Sequence, residues 1–242
     1  QGVVDPQMTG IAGFGSLQAY LPKKGVHECI DFHGKAPCKT KPEMWADLIE
    51  GENRDGFGFV LKGRVNDLGY QSITVPGRLK AYAEAHEAWG RLPWSEIMEP
   101  AIAQAKEGVL IRPHVYNWWT RVDESQRVRA EERLKFTESG RQIYFHPDGT
   151  LKRIGDRLYN PDLAETLCQL AKHGAEDFYS GDIGTRIVED MVAHGGLVSR
   201  DDLANYKTIH NKPVWGHYRG FDIATNQPPG GGIMLVEMMN IL

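Results

Sequence analysis

The residues best able to do chemistry lie near both ends of the chain. Gly10-Ile-Ala-Gly-Phe-Gly15 is a glycine-rich loop, but its spacing is G-x-x-G-x-G and not the dinucleotide fingerprint G-x-G-x-x-G. No acidic residue follows on a second strand, and no Gly-Lys-Ser/Thr follows to cradle phosphate. Gly13 and Gly15 therefore read as points of close backbone approach, where a Cβ would meet a ligand or a neighbouring strand. Pro228-Pro-Gly-Gly-Gly232 precedes a helix, so Gly230 and Gly231 either offer free N–H groups to an anion or let the backbone pass a partner strand. His27, Cys29, His33 and Cys38 cluster in sequence. On a strand the first three would share one face. Their spacing matches no common structural zinc pattern, and no metal site or cofactor is expected. Cys29 and Cys38 would pair only in an oxidising compartment, and their spacing does not set disulfide geometry. Cys168, at helical spacing, reads as a core thiol. His86-Glu87 lacks the second His of a metalloprotease helix, and Ser16 lacks the frame of a nucleophile elbow. His114, His146, His173, His194 and His210 fall at turns and helix ends, where an imidazole commonly meets the last carbonyls. The residues show no nucleophile–base pair.

The elements that must position these groups are punctuated clearly. Ser16–Leu21 and Gly25–Phe32 read as a hairpin about Pro22-Lys-Lys-Gly25. Residues 51–75 read as loop. Pro76 opens a helix with Leu79, Tyr82, Ala83, His86 and Trp89 on one stripe. A second helix covers about Trp94 to Glu107, with Pro100 expected to kink or split it. A charged helix is expected around 117–136, and Gln142–Phe145 and Thr150–Ile154 are expected to pair about the His146-Pro-Asp-Gly149 turn. Asn160 caps a helix that starts on Pro161 and stops at Gly174; another runs from Asp182 to His194. Ser199-Arg-Asp-Asp202 is a capping box, and two strands flank Arg219-Gly220 before a final helix. No linker divides the chain, which reads as a single domain over 1–242.

Bulk properties narrow the classes. The chain of 242 residues is 41% hydrophobic and 25% charged with a net charge of −4. Acids and bases are interspersed, so no nucleic-acid footprint is present, and no apolar run is long enough to span a bilayer. The mixed-charge stretch Arg121–Lys135 reads as a solvated helix face. The sequence opens on Gln1-Gly-Val-Val-Asp-Pro6 without an initiator Met and closes on the apolar run to Leu242 without a terminating Gly or Pro, which reads as an internal slice of a larger protein.

The order of motifs resembles the large subunit of the gamma-glutamyltransferase family, which belongs to the N-terminal-nucleophile hydrolases. Gly2-Val-Val-Asp-Pro-Gln-Met-Thr-Gly-Ile-Ala-Gly-Phe-Gly15 is similar to the family's opening G-V-V-x-P-x-x-S/T-G-I-G-G-G-G. Thr74-Val-Pro-Gly77, Leu92-Pro-Trp94, Pro100-Ala-Ile102 and Ala105-Lys-Glu-Gly108 follow in family order. So do Tyr159–Leu167, Phe178-Tyr-Ser-Gly181, Ile187–Met191, Gly195-Gly-Leu197, Asp202-Leu-Ala-Asn-Tyr206, Tyr218-Arg-Gly220 and Pro228–Gly232.

The resemblance implies an α+β fold, the αββα sandwich of N-terminal-nucleophile hydrolases, of which this chain is the large-subunit part. It implies a precursor that cuts itself before a Thr. That Thr then leads a small subunit, and its own α-amine serves as general base for acyl transfer from an amide or peptide substrate such as glutathione. The nucleophile lies outside this chain, so no catalytic residue is assigned on it. The compartment stays open, leaning to periplasmic or secreted over cytoplasmic. In the family's D-x-R-E-x-A-P the Arg grips the α-carboxylate of the glutamyl group; here the stretch is Asp31-Phe-His-Gly-Lys-Ala-Pro37, with His33 in place of the Arg. A guanidinium grips a carboxylate with two parallel bonds and an imidazole with one. Lys35 is expected on the strand face of His33, where it would compensate. Substrate-side residues are thus Gly13, Gly15, His33, Lys35, Gly230 and Gly231. Three readings follow: an acyltransferase or amidohydrolase with a non-standard acyl group, a gamma-glutamyltransferase that uses Lys35, or a non-catalytic paralogue that binds a partner.

Overall fold

A computed structural model describes residues 2–6, 9–53, 58–122 and 128–242. In chain order the elements are β1 (Ser16–Leu21), β2 (Val26–Asp31), β3 (Ile49–Glu52), β4 (Phe59–Leu61), α1 (Arg78–Trp89), α2 (Trp94–Glu107), β5 (Val109–Leu110), α3 (Pro113–Thr120), α4 (Ala130–Leu134), α5 (Glu138–Tyr144), β6 (Arg157–Leu158), α6 (Pro161–His173), α7 (Glu176–Tyr179), α8 (Asp182–Ala193), α9 (Arg200–Ala204), β7 (Ile209–Asn211), β8 (Val214–Tyr218), β9 (Phe221–Thr225) and α10 (Gly232–Ile241).

Gly25 has φ 66° and closes the turn that lets β1 fold back on β2, in the register Ser16↔Asp31 to Leu21↔Val26. β7 adds antiparallel to β2, giving the sheet order β1-β2-β7. The face of β2 that carries Ile30, with Phe32 beyond it, packs on Ala81 of α1, with Leu17, Ala85 and Trp89 around them. β8 and β9 pair about the Arg219-Gly220 turn, where both residues have positive φ, and Val236 of α10 lies over Gly216 of β8. The largest core joins Val75 and Leu79 to Leu170, Phe178, Tyr179, Ile183, Met191, Val198, Leu203 and Tyr206, so α1, α6, α7, α8 and α9 share one interior. A second core centres on Trp119, Val115, Ile111 and Leu158. No helix among the described residues is long and apolar enough to cross a membrane.

Several expected boundaries move. The 51–75 stretch is not all loop, because β3 and β4 pair across it. α2 runs unbroken through Pro100; the missing backbone bond is tolerated in a helix laid along α6 and pinned by Trp94 Nε1–H to the Leu170 carbonyl at 3.0 Å. The charged 117–136 helix is not one element. α3 ends at Thr120, since Val115 and Trp119 are the buried pair that anchors it, and α4 starts only at Ala130; residues 123–127 lie outside the described residues. Gln142–Tyr144 is helix and not strand, because the Thr137 hydroxyl accepts from Gly140 N–H and starts α5. Only a bridge between Phe145 and Leu151 remains of that hairpin, although the turn itself forms, with Gly149 N–H on the His146 carbonyl at 2.8 Å. Cys168 is partly exposed, and Cys29 and Cys38 are free thiols.

Candidate functional site

Three glycine- and histidine-bearing segments meet at one end of the β1-β2 hairpin. Gly15 continues β1, with its N–H and C=O bonded to Phe32 at 3.3 and 2.9 Å, and its φ of 147° suits glycine. Gly13 is held from the other side. Its carbonyl accepts from Gly77 and Arg78 N–H at 3.1 and 3.0 Å, and a Cβ there would meet the Arg78 guanidinium at 2.8 Å. That guanidinium threads the loop, donating to the Thr9 hydroxyl and to the carbonyls of Gly10 and Phe14. The third segment arrives through Asn226, whose side-chain amide donates to Ser16 Oγ at 3.0 Å. Ser16 faces Asp31 in the sheet register.

His33 stands just past the end of β2. Its Nδ1 lies 2.7 Å from Asp31 Oδ1, and the same oxygen accepts its backbone N–H at 2.8 Å. The pair is partly exposed, 25% for the histidine side chain and 12% for the aspartate. The exposed Phe14 ring lies 6.2 Å from the imidazole. With Nδ1–H committed to Asp31, the tautomer is set: neutral His33 presents a lone pair at Nε2, and protonated His33 presents a donor. No partner of Nε2 occurs among the described residues.

Lys35 does not join this group. β2 ends at Asp31, so strand alternation does not carry through to Lys35. Its backbone instead bridges to Val75, and its ammonium donates to the Lys207 carbonyl at 2.9 Å while lying 4.8 Å over the Tyr206 ring. At the far segment, a Cβ on Gly230 would overlap the Asn226 amide, and one on Gly232 would overlap the Asn226 carbonyl; Gly231 faces open space. Close backbone approach thus explains Gly230 and Gly232, and Gly231 carries no such constraint.

Tyr206, Asp202, Arg78 and Asn226 were not singled out as site residues from sequence. Burial, with the charges of Asp31 and Glu84, pushes the Tyr206 hydroxyl up to about 12, so it remains a donor and holds the His33 carbonyl at 2.8 Å. Burial alone would raise the Asp202 carboxyl, but bonds from Ser199 and Cys38 outweigh it and hold the group below the usual range. The hydrogen bond that the Cys38 thiol donates to Asp202, together with the Asp202 charge, pushes the thiol up. Among the described residues no three His, Cys, Asp or Glu side chains gather to hold a metal ion.

The whole of residues 1–242 matches the family model described as gamma-glutamyltranspeptidase. The chain belongs to this family. It is 33% identical to "Acylase ACY 1 proenzyme" of Pseudomonas sp. (strain SE83) over 99% of this chain and 41% of that protein. It is 31% identical to "Glutathione hydrolase proenzyme" of Bacillus subtilis (strain 168) over 99% of this chain and 38% of that one. Among solved structures, the Helicobacter pylori gamma-glutamyltranspeptidase superposes with a TM-score of 0.83 at 29% identity, covering 99% of this chain and 64% of that chain. The fold is therefore that of the N-terminal-nucleophile hydrolases of this family, α+β as the resemblance implied. The chain spans about two fifths of the length of curated relatives such as these two.

Proposed function

We propose that this chain is the large-subunit portion of an amide-cleaving or acyl-transferring N-terminal-nucleophile hydrolase, and that it supplies one wall of the acyl-donor pocket. The nucleophilic Thr belongs to a small subunit outside these residues, freed by self-cleavage, and its α-amine takes the proton from its hydroxyl as the acyl group transfers. The two curated relatives cited above are named as proenzymes, which supports a processed precursor.

The observation that carries the reading is His33. Its Nδ1 is anchored to Asp31 and its Nε2 is unpaired among the described residues at the partly exposed end of the hairpin, beside Phe14 and the Gly13–Gly15 loop. A neutral imidazole held in this tautomer accepts from a substrate N–H or O–H and does not grip a carboxylate. Lys35 is already engaged with Lys207 and Tyr206, so it does not replace the missing guanidinium. The acyl group accepted is therefore not held by its α-carboxylate in the two-bond manner of an arginine, and non-standard acyl specificity follows.

Intact mass and N-terminal sequencing of every polypeptide in the purified full-length protein test processing: a second chain led by Thr is expected. Turnover of γ-glutamyl-p-nitroanilide is then compared with 4-aminobutanoyl-p-nitroanilide, which lacks only the α-carboxylate. Comparable kcat/KM for the two is expected. A strong preference for the γ-glutamyl donor overturns the specificity assignment, and a single unprocessed chain overturns the enzymatic one in favour of a binding protein.

A further inference from the structure

The 33–38 segment is held by backbone and side-chain contacts from two directions. On one side Val75 N–H donates to the Lys35 carbonyl at 2.9 Å, and Gly34 is pressed so close to the Thr74 side chain that any Cβ would overlap it. On the other side stand α9 and the turn that follows it. Asp202 Oδ1 accepts Cys38 N–H at 2.9 Å, the Tyr206 hydroxyl donates to the His33 carbonyl at 2.8 Å, and the Lys207 carbonyl accepts the Lys35 ammonium at 2.9 Å. From this side alone three tethers span the six-residue stretch, each from a residue distant in sequence.

The bracket is itself rigid. Ser199 and Asp202 form a reciprocal capping box, so the Asp202 carboxylate is fixed by the helix it starts. Leu203 and Tyr206 are buried in the largest core, and Tyr206 stacks with the buried Tyr179 at 6.3 Å. The hydroxyl of Tyr206 is also pressed against the Gly77 backbone, where a Cβ would overlap it. Neither Asp202 nor Tyr206 directs its polar atom at open space; each directs it at the backbone of the segment that carries His33.

We infer that α9 and the turn to Lys207 form a specificity bracket, with Asp202 and Tyr206 as positioning residues that set where His33 meets the acyl donor. The inference rests on the assignment of His33 to the donor pocket. A side chain that discriminates through a single hydrogen bond depends on its backbone being placed to within a fraction of an ångström, and a shift of that size alters donor choice without altering the nucleophile.

The test uses full-length, processed enzyme in four forms: wild type, Tyr206→Phe, His33→Ala and the double variant. Phenylalanine keeps the ring beneath the Lys35 ammonium and removes only the hydroxyl that holds His33. Two donors that differ only in the amino group whose N–H His33 would accept, 4-aminobutanoyl-p-nitroanilide and butanoyl-p-nitroanilide, are assayed for kcat and KM separately. Tyr206→Phe is expected to change the ratio of kcat/KM between the donors by about three- to tenfold, the range for loss of one hydrogen bond, with the change in KM. In the His33→Ala background it is expected to change that ratio no further. An equal effect of Tyr206→Phe on both donors, no effect, or an undiminished effect without His33 overturns the bracket. If His33→Ala itself leaves the ratio unchanged, the assignment of His33 fails, and the bracket falls with it. A ratio that responds to His33→Ala but not to Tyr206→Phe overturns the bracket alone. Asp202→Asn, which loosens the Cys38 end, serves as the second variant and should move the ratio in the same direction as Tyr206→Phe; movement in the opposite direction also overturns the bracket.

Discussion

Replacing His33 with arginine tests the reading of the pocket from the opposite side. A hydrogen bond to a charged group contributes about 1.5–3 kcal/mol, and each 1.36 kcal/mol is a factor of about ten. Two features of the site argue for the low end. Asp31 is only 12% exposed and already accepts two bonds from His33, so an arginine there keeps part of its fork on that carboxylate. The position is also partly open, with 25% of the histidine side chain exposed, and water screens the remaining attraction. About 1.5 kcal/mol is left, so His33→Arg should raise kcat/KM for γ-glutamyl-p-nitroanilide by about tenfold relative to 4-aminobutanoyl-p-nitroanilide. The assay is initial-rate release of p-nitroaniline over a concentration series of each donor, with thermal melting as a check on folding. A ratio that stays within about twofold of wild type in a stably folded variant would refute the placement of this side chain against the donor.

Gly77→Ala should destabilise the fold by about 1–3 kcal/mol, since its Cβ overlaps the Tyr206 hydroxyl at an ordinary backbone φ, and chemical denaturation of Gly77→Ala with and without Tyr206→Phe should show partial rescue by the latter. The Asp202 carboxyl is held below its ordinary value of 3.8, so it contributes stability that is full above that pH and is lost as pH falls through the lower folded value. Asp202→Asn should accordingly lower stability at pH 7 by about 1–2 kcal/mol and flatten the loss of stability below about pH 4, as read from urea midpoints across an acid series.

Elements with local punctuation were legible in the sequence. Asn160, Pro161 and Gly174 mark α6 at both ends, and the Asn160 side chain does cap Leu163 N–H. The capping box at Ser199 and the paired strands about Arg219-Gly220 are equally local, because the residues that decide them are neighbours. Misreadings occur where a local preference was overruled or too weak to decide. Gln142-Ile-Tyr suits a strand by composition, but a threonine cap five residues upstream starts a helix through it. β3 and β4 are short and glycine-bearing, and only their mutual pairing defines them. The glycines of the site were legible as close approaches, but their partners were not. Nothing near Gly13 announces Arg78, and nothing near Ser16 announces Asn226. Lys35 departs from the expected strand face for the related reason that alternation ends at Asp31, where the chain leaves the sheet to be caught between Val75 and Lys207.

The distances along the chain between these partners have a consequence for biosynthesis. His33 and Tyr206 are 173 residues apart, and Ser16 and Asn226 are 210 apart. Contacts of such separation close late, because the intervening chain must first be ordered. A nascent polypeptide therefore carries its histidine-bearing segment without the Asp202, Tyr206 and Lys207 tethers until almost all of this stretch has left the ribosome. Any chaperone, protease or premature ligand that acts on that segment has its opportunity during translation, and the opportunity ends when α9 docks.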